Sequence, residues 1–85
     1  MAVVHRPSAT ELLAIAGVRA ACRTGEARRL REAASVSLRE AAAAMRVSTS
    51  SLSRWERALE FPKARRALAL ATWLDAWRRL EERSR

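Results

Sequence analysis

The feature that most confines this chain is the set of places where a strong helix-forming pattern breaks. Ala, Leu, Arg and Glu dominate and favour helix, there is no Tyr, and no alternating strand pattern appears. The breaks fall at Pro7-Ser8, Thr24-Gly25, Ser35-Val36-Ser37, Arg46-Val47-Ser48 and Pro62. They divide the chain into five helices: one after Ser8, one over about 26–34, one over about 38–45, one from Ser48 to about 57, and a long one from Lys63 toward Arg83. Residues 1–7 are expected to be flexible. The expected fold is all-α, a five-helix single domain over 1–85, a length that allows one small domain.

Local chemistry supports these boundaries. Ser8 and Glu11 have the spacing of a capping box, and Gly17 weakens the first helix without ending it. Leu12, Ile15, Ala16 and Cys22 are the expected inner face of that helix. In the second, Ala27, Leu30, Arg31 and Ala34 recur at helical spacing, which places an arginine on an apolar stripe and demands a partner for it if buried. Ser37 and Ser48 are N-cap candidates for the third and fourth helices. Small side chains at 41–44 allow a second helix to approach closely.

The charge narrows the function. Lys plus Arg is 17 against 9 Asp plus Glu, a formal net charge of +8, and Lys63 is the single lysine. Such an excess on a small domain favours a polyanionic partner, and arginine suits bidentate contact with phosphate and guanine. No apolar run approaches the roughly 18 residues of a membrane span, and the N-terminus lacks an apolar signal core, so a cytoplasmic protein is expected. Cys22 is alone, so it reads as a small apolar filler and not as half of a disulfide. Catalysis is poorly supported. His5 is the one histidine, there is no metal-ligand cluster or Gly-rich phosphate loop, and a serine-rich patch without a base is no nucleophile site. Neither a metal, a cofactor nor a small-molecule ligand is expected.

The dense hydroxyls of VSTSSLSRWER need a reason in a chain otherwise rich in alanine and leucine. Ser48 is accounted for by capping. Leu52 and Trp55 face inward, which turns Thr49, Ser50, Ser53 and Arg54 outward on a narrow polar face. Two short helices around a three-residue turn form a helix-turn-helix pattern, here 38–57. The stretch RLREAASVSLREAAAAMRVSTSSLSRWERALEFP further resembles the Cro and phage-repressor class of helix-turn-helix proteins, also called the xenobiotic-response-element family, with a lambda-repressor-like motif. Ser37 matches the cap of the motif's first helix, Ala42 the small position where the two helices touch, Val47 the turn hydrophobe, and Leu52 with Trp55 the inward pair. The likeness covers roughly 26–74. Three positions depart from it: Arg46 stands where the turn usually has Gly, Ala58 where a Gly commonly ends the recognition helix, and Leu38 where many relatives contact phosphate through Gln.

The resemblance implies a sequence-specific regulator of transcription, a repressor that occupies an operator on double-stranded DNA, with the helix from Thr49 in the major groove. A phage, prophage or plasmid setting suits it. On this likeness Thr49, Ser50, Ser53 and Arg54 reach base edges, and Arg39, Arg46, Ser48 and Arg57 contact phosphate. Arg31 meets Glu56 across helices two and four as a structural pair. On the long helix, Leu70, Trp73, Leu74, Trp77 and Leu80 advance by three or four and share one face. That face either packs on the first helix or pairs with a second copy, since two-fold half-sites are read by dimers. In a shared arrangement Leu70 and Leu74 turn inward while Trp77 and Leu80 meet the partner. An antitoxin role, in which a terminal helix neutralises a toxin partner, is the alternative, and a purely structural helical adaptor is a third.

Overall fold

A computed structural model describes residues 6–85. Residues 1–5, and with them His5 and most of the segment expected to be flexible, lie outside the described residues. The five helices are α1 (Ala9–Thr24), α2 (Glu26–Ala33), α3 (Leu38–Met45), α4 (Thr49–Glu56) and α5 (Ala64–Arg83). They share one hydrophobic core, to which every helix contributes. α5 packs chiefly along α1 and α2, while α3 packs on α4.

Each helix begins and ends for a local reason. Ser8 Oγ accepts from the Glu11 N–H while the Ser8 N–H donates to the Glu11 carboxylate, a complete capping box. Ser37 and Glu40 repeat it at α3. Gly25, at φ 82, turns α1 into α2. The next three reversals use Ser35 (φ 59), Arg46 (φ 57) and Ala58 (φ 57), all left-handed without being glycine. All three share one bonding scheme. The left-handed residue donates to a carbonyl three residues back, and the apolar residue after it (Val36, Val47 or Leu59) donates to a carbonyl five back. This is the Schellman closure, which satisfies carbonyls that the helix end leaves open.

Two expected faces are displaced. α1 buries Ile15, Val18, Ala21 and Cys22, whereas Leu12 and Ala16 are exposed. At 3.6 residues per turn Leu12 lies about 100° around the helix from the centre of that stripe. On α5 the buried stripe is Ala67, Leu70, Leu74 and Trp77. Trp77 is 6% exposed, so it belongs to this chain's own core and does not face a partner. Trp73 and Leu80, at 38% and 47%, sit about 90° off the stripe and stay at the surface. The Trp73 and Trp77 rings meet at 5.9 Å. Ion pairs tether α2 to α5 outside the core: Arg29 to Glu81 at 2.8 Å and Arg78 to Glu26 at 2.6 Å. Exposed pairs of this kind add little to stability, because solvent screens them.

Cys22 is buried, and burial foremost pushes its thiol up to about 11. It therefore stays protonated and acts as packing.

Candidate nucleic-acid interface

The α3–α4 unit is assembled from small, specific constraints. Ala41 and Ala42 are buried with no side chain beyond Cβ, so α4 can lie close against α3. Arg46 takes the left-handed turn, and the Val47 N–H reaches back 3.0 Å to the Ala42 carbonyl. Ser48 then caps α4: its hydroxyl oxygen accepts from the Ser51 N–H at 3.0 Å and donates to the Ser51 hydroxyl at 2.9 Å.

α4 is two-sided. Leu52, Trp55 and Glu56 are buried. Glu56 is paired with Arg31 of α2 in a two-pronged contact, Nε to Oε2 at 2.7 Å and Nη2 to Oε1 at 2.9 Å. The remaining prong, Nη1, donates to the Val36 carbonyl at 2.8 Å. One guanidinium thus joins α2, the α2–α3 reversal and α4. The hydrogen bond to Glu56, foremost, raises the pKa of Arg31 further. A buried pair like this costs much to desolvate and contributes chiefly by fixing geometry.

The other side of α4 is open. Thr49, Ser50, Ser53, Arg54 and Arg57 line one groove together with Leu38 of α3. Thr49 and Ser50 are exposed, Ser53 and Arg54 half-buried, and Arg57 is exposed. Leu38 makes one wall apolar. Arg39, Arg46 and Ser48 are exposed but do not line this groove. Arg46 instead borders a second cleft with Met45, Lys63, Arg65, Arg66 and Ala69. Lys63, Arg65 and Arg66 stand close after Pro62 in the chain but form no motif that the sequence singled out. Their closeness to Arg46 depends on how α5 leaves the loop.

Electrostatics sharpen the asymmetry. Between Leu38 and Trp73 there are seven basic residues and three carboxylates. All three carboxylates are engaged: Glu40 in its capping box, Glu56 with Arg31, and Glu60 with Arg54. Arg39, Arg46, Arg57, Lys63, Arg65 and Arg66 form no ion pair among the described residues. The pairs Arg28–Glu32, Arg29–Glu81 and Arg78–Glu26, with Arg31–Glu56, leave every charged side chain of α2 compensated. Among the described residues no group of His, Cys, Asp or Glu could hold a metal ion, and no helix is long and apolar enough to cross a membrane.

A family model described as a helix-turn-helix domain matches residues 24–83. The chain belongs to that helix-turn-helix family. The matched stretch takes in α2 to α5 whole and reaches only the last residue of α1. No curated protein and no solved structure matches the chain. Membership in the helix-turn-helix family points to a DNA-binding regulator.

Proposed function

We propose that this protein is a sequence-specific, double-stranded-DNA-binding regulator of the Cro and phage-repressor class, and that it represses transcription by occupying an operator. The observation that carries the reading is the two-sidedness of α4. Its inner face is locked by Leu52, Trp55 and the Glu56–Arg31 pair, while its outer face offers hydroxyls and two arginines around one groove.

In this reading α4 enters the major groove N-terminal end first. Arg54 pairs with guanine O6 and N7, a contact worth about 1–3 kcal/mol of discrimination. Thr49 offers a methyl and a hydroxyl, and Ser50 and Ser53 read base edges directly or through water. Their short side chains let the helix sit deep. Arg39, Arg46 and Arg57 neutralise phosphates, which fixes register without reading sequence. The Ser48 hydroxyl is already committed to Ser51. Its end of α4 therefore contributes to phosphate binding through the open N–H groups of the first turn. Lys63, Arg65 and Arg66, beside Arg46, extend the same positive surface.

Two-fold related half-sites and a homodimer on DNA belong to the same reading. With Trp77 in the core, Trp73 and Leu80 are the apolar groups of α5 left for a second copy. Selection of bound duplexes from a random pool tests the reading. Enrichment of a short motif, repeated about a two-fold axis, is expected; a pool that stays random at low salt refutes it.

A further inference from the structure

Glu60 lies outside the helix-turn-helix unit, yet its carboxylate approaches Arg54 Nε at 3.1 Å. The contact is built by the chain reversal. Ala58, at φ 57, turns the backbone back, and the N–H groups of Leu59 and Glu60 both donate to the carbonyl of Arg54, at 2.9 and 3.4 Å. The acid and the arginine are thus held by one turn.

The Arg54 guanidinium is engaged unevenly. Nε is shut off from solvent and makes no well-directed hydrogen bond, so the nearby Glu60 charge is what compensates it. The side chain as a whole remains 41% exposed and borders the groove. A guanidinium has five N–H donors in a planar fork. A carboxylate at Nε restrains the plane and leaves the terminal nitrogens for a second pair of acceptors, the arrangement that guanine O6 and N7 present.

We propose that Glu60 is a positioning residue for Arg54, and that it thereby sets how sharply α4 distinguishes one base pair; this rests on the DNA-reading function proposed above. Without Glu60 the Arg54 side chain is free to swing to the phosphate backbone, which attracts it whatever the sequence.

The test uses the full chain as wild type, Glu60→Gln, Arg54→Ala and the double variant. Each is titrated against the selected duplex and against one altered at the base pair that Arg54→Ala ceases to distinguish, at two salt concentrations. Glu60→Gln is expected to lose about tenfold in discrimination, within the range for one bidentate base contact. Its salt dependence should steepen by about 0.9, one further phosphate. In the double variant, discrimination should fall no lower than in Arg54→Ala alone, and the denaturation midpoint of Glu60→Gln should match wild type. Discrimination kept by Glu60→Gln but lost by Arg54→Ala overturns the proposal and leaves DNA reading intact. So do losses that multiply in the double variant, or a loss that comes only with a collapsed midpoint. Discrimination kept by both single variants removes the base-reading role of Arg54 and this proposal together.

Discussion

Ser35, Arg46 and Ala58 hold left-handed backbone that L side chains rarely adopt. Each carries a cost of about 1–2 kcal/mol that glycine escapes. Ala58→Gly is therefore expected to raise stability by about 1 kcal/mol in denaturant melts, less whatever the added freedom of the unfolded chain removes. Arg31 and Glu56 stand at the other extreme. Removing either partner leaves a buried charge uncompensated, so Arg31→Ala and Glu56→Ala should each cost about 3–5 kcal/mol. The double variant should cost clearly less than the two together, and additive losses would show the residues to be uncoupled. An arginine on an apolar stripe was plain in the sequence, and so was its need for a partner. The third prong to the Val36 carbonyl was not, because a backbone acceptor has no signature in residue type.

At the scale of the helices, the starts of α1, α3 and α4 and the turn after α1 coincide with chemistry that a sequence displays, Ser8, Ser37 and Ser48 as caps and Gly25 as a stop. The ends of α2, α3 and α4 are instead closed by Ser35, Arg46 and Ala58, whose left-handed backbone their residue types do not announce. The inner face of α1 was harder to read, because Leu12, Leu13, Ala14, Ala16, Ala20 and Ala21 surround the helix with apolar groups and leave no clean stripe. α5 shows a different limit. Its periodicity places Trp77 with Leu70 and Leu74 but does not say whether the cover comes from the same chain. The cover is the chain's own, so Trp77→Ala should cost about 3–5 kcal/mol, whereas Leu80→Ala should cost under about 1 kcal/mol; thermal melts of both separate them. The capping box of α3 has a pH signature. Hydrogen bonds from Ser37 hold the Glu40 carboxyl below its ordinary 4.5, and Arg29 does the same for Glu81. A depressed folded pKa means stability that is present at neutral pH and lost as pH falls below about 4.5, through the folded values. The melting midpoint should therefore fall on acidification, and Glu40→Gln with Glu81→Gln should flatten that fall.

Over the whole molecule, every charged side chain of α2 is paired, whereas Arg57 at the α4 groove and Arg46, Lys63, Arg65 and Arg66 at the second cleft form no ion pair among the described residues. That division was only partly legible beforehand. The net charge is a property of composition, but which arginines are neutralised depends on pairs far apart in the chain, Arg29 with Glu81 and Arg78 with Glu26. On the proposed function such a surface binds DNA with strong salt dependence, and its sequence information comes from the few side chains that reach base edges. Titration of wild type, Arg54→Ala and Arg57→Ala against the selected duplex and a scrambled one, at two salt concentrations, separates these two contributions. Arg54→Ala should lose about 1–3 kcal/mol on the selected duplex and little on the scrambled one, while Arg57→Ala should weaken both alike and flatten the salt dependence by about 1. Equal losses on both duplexes for Arg54→Ala, or a wild type that binds the two alike, would contradict the account.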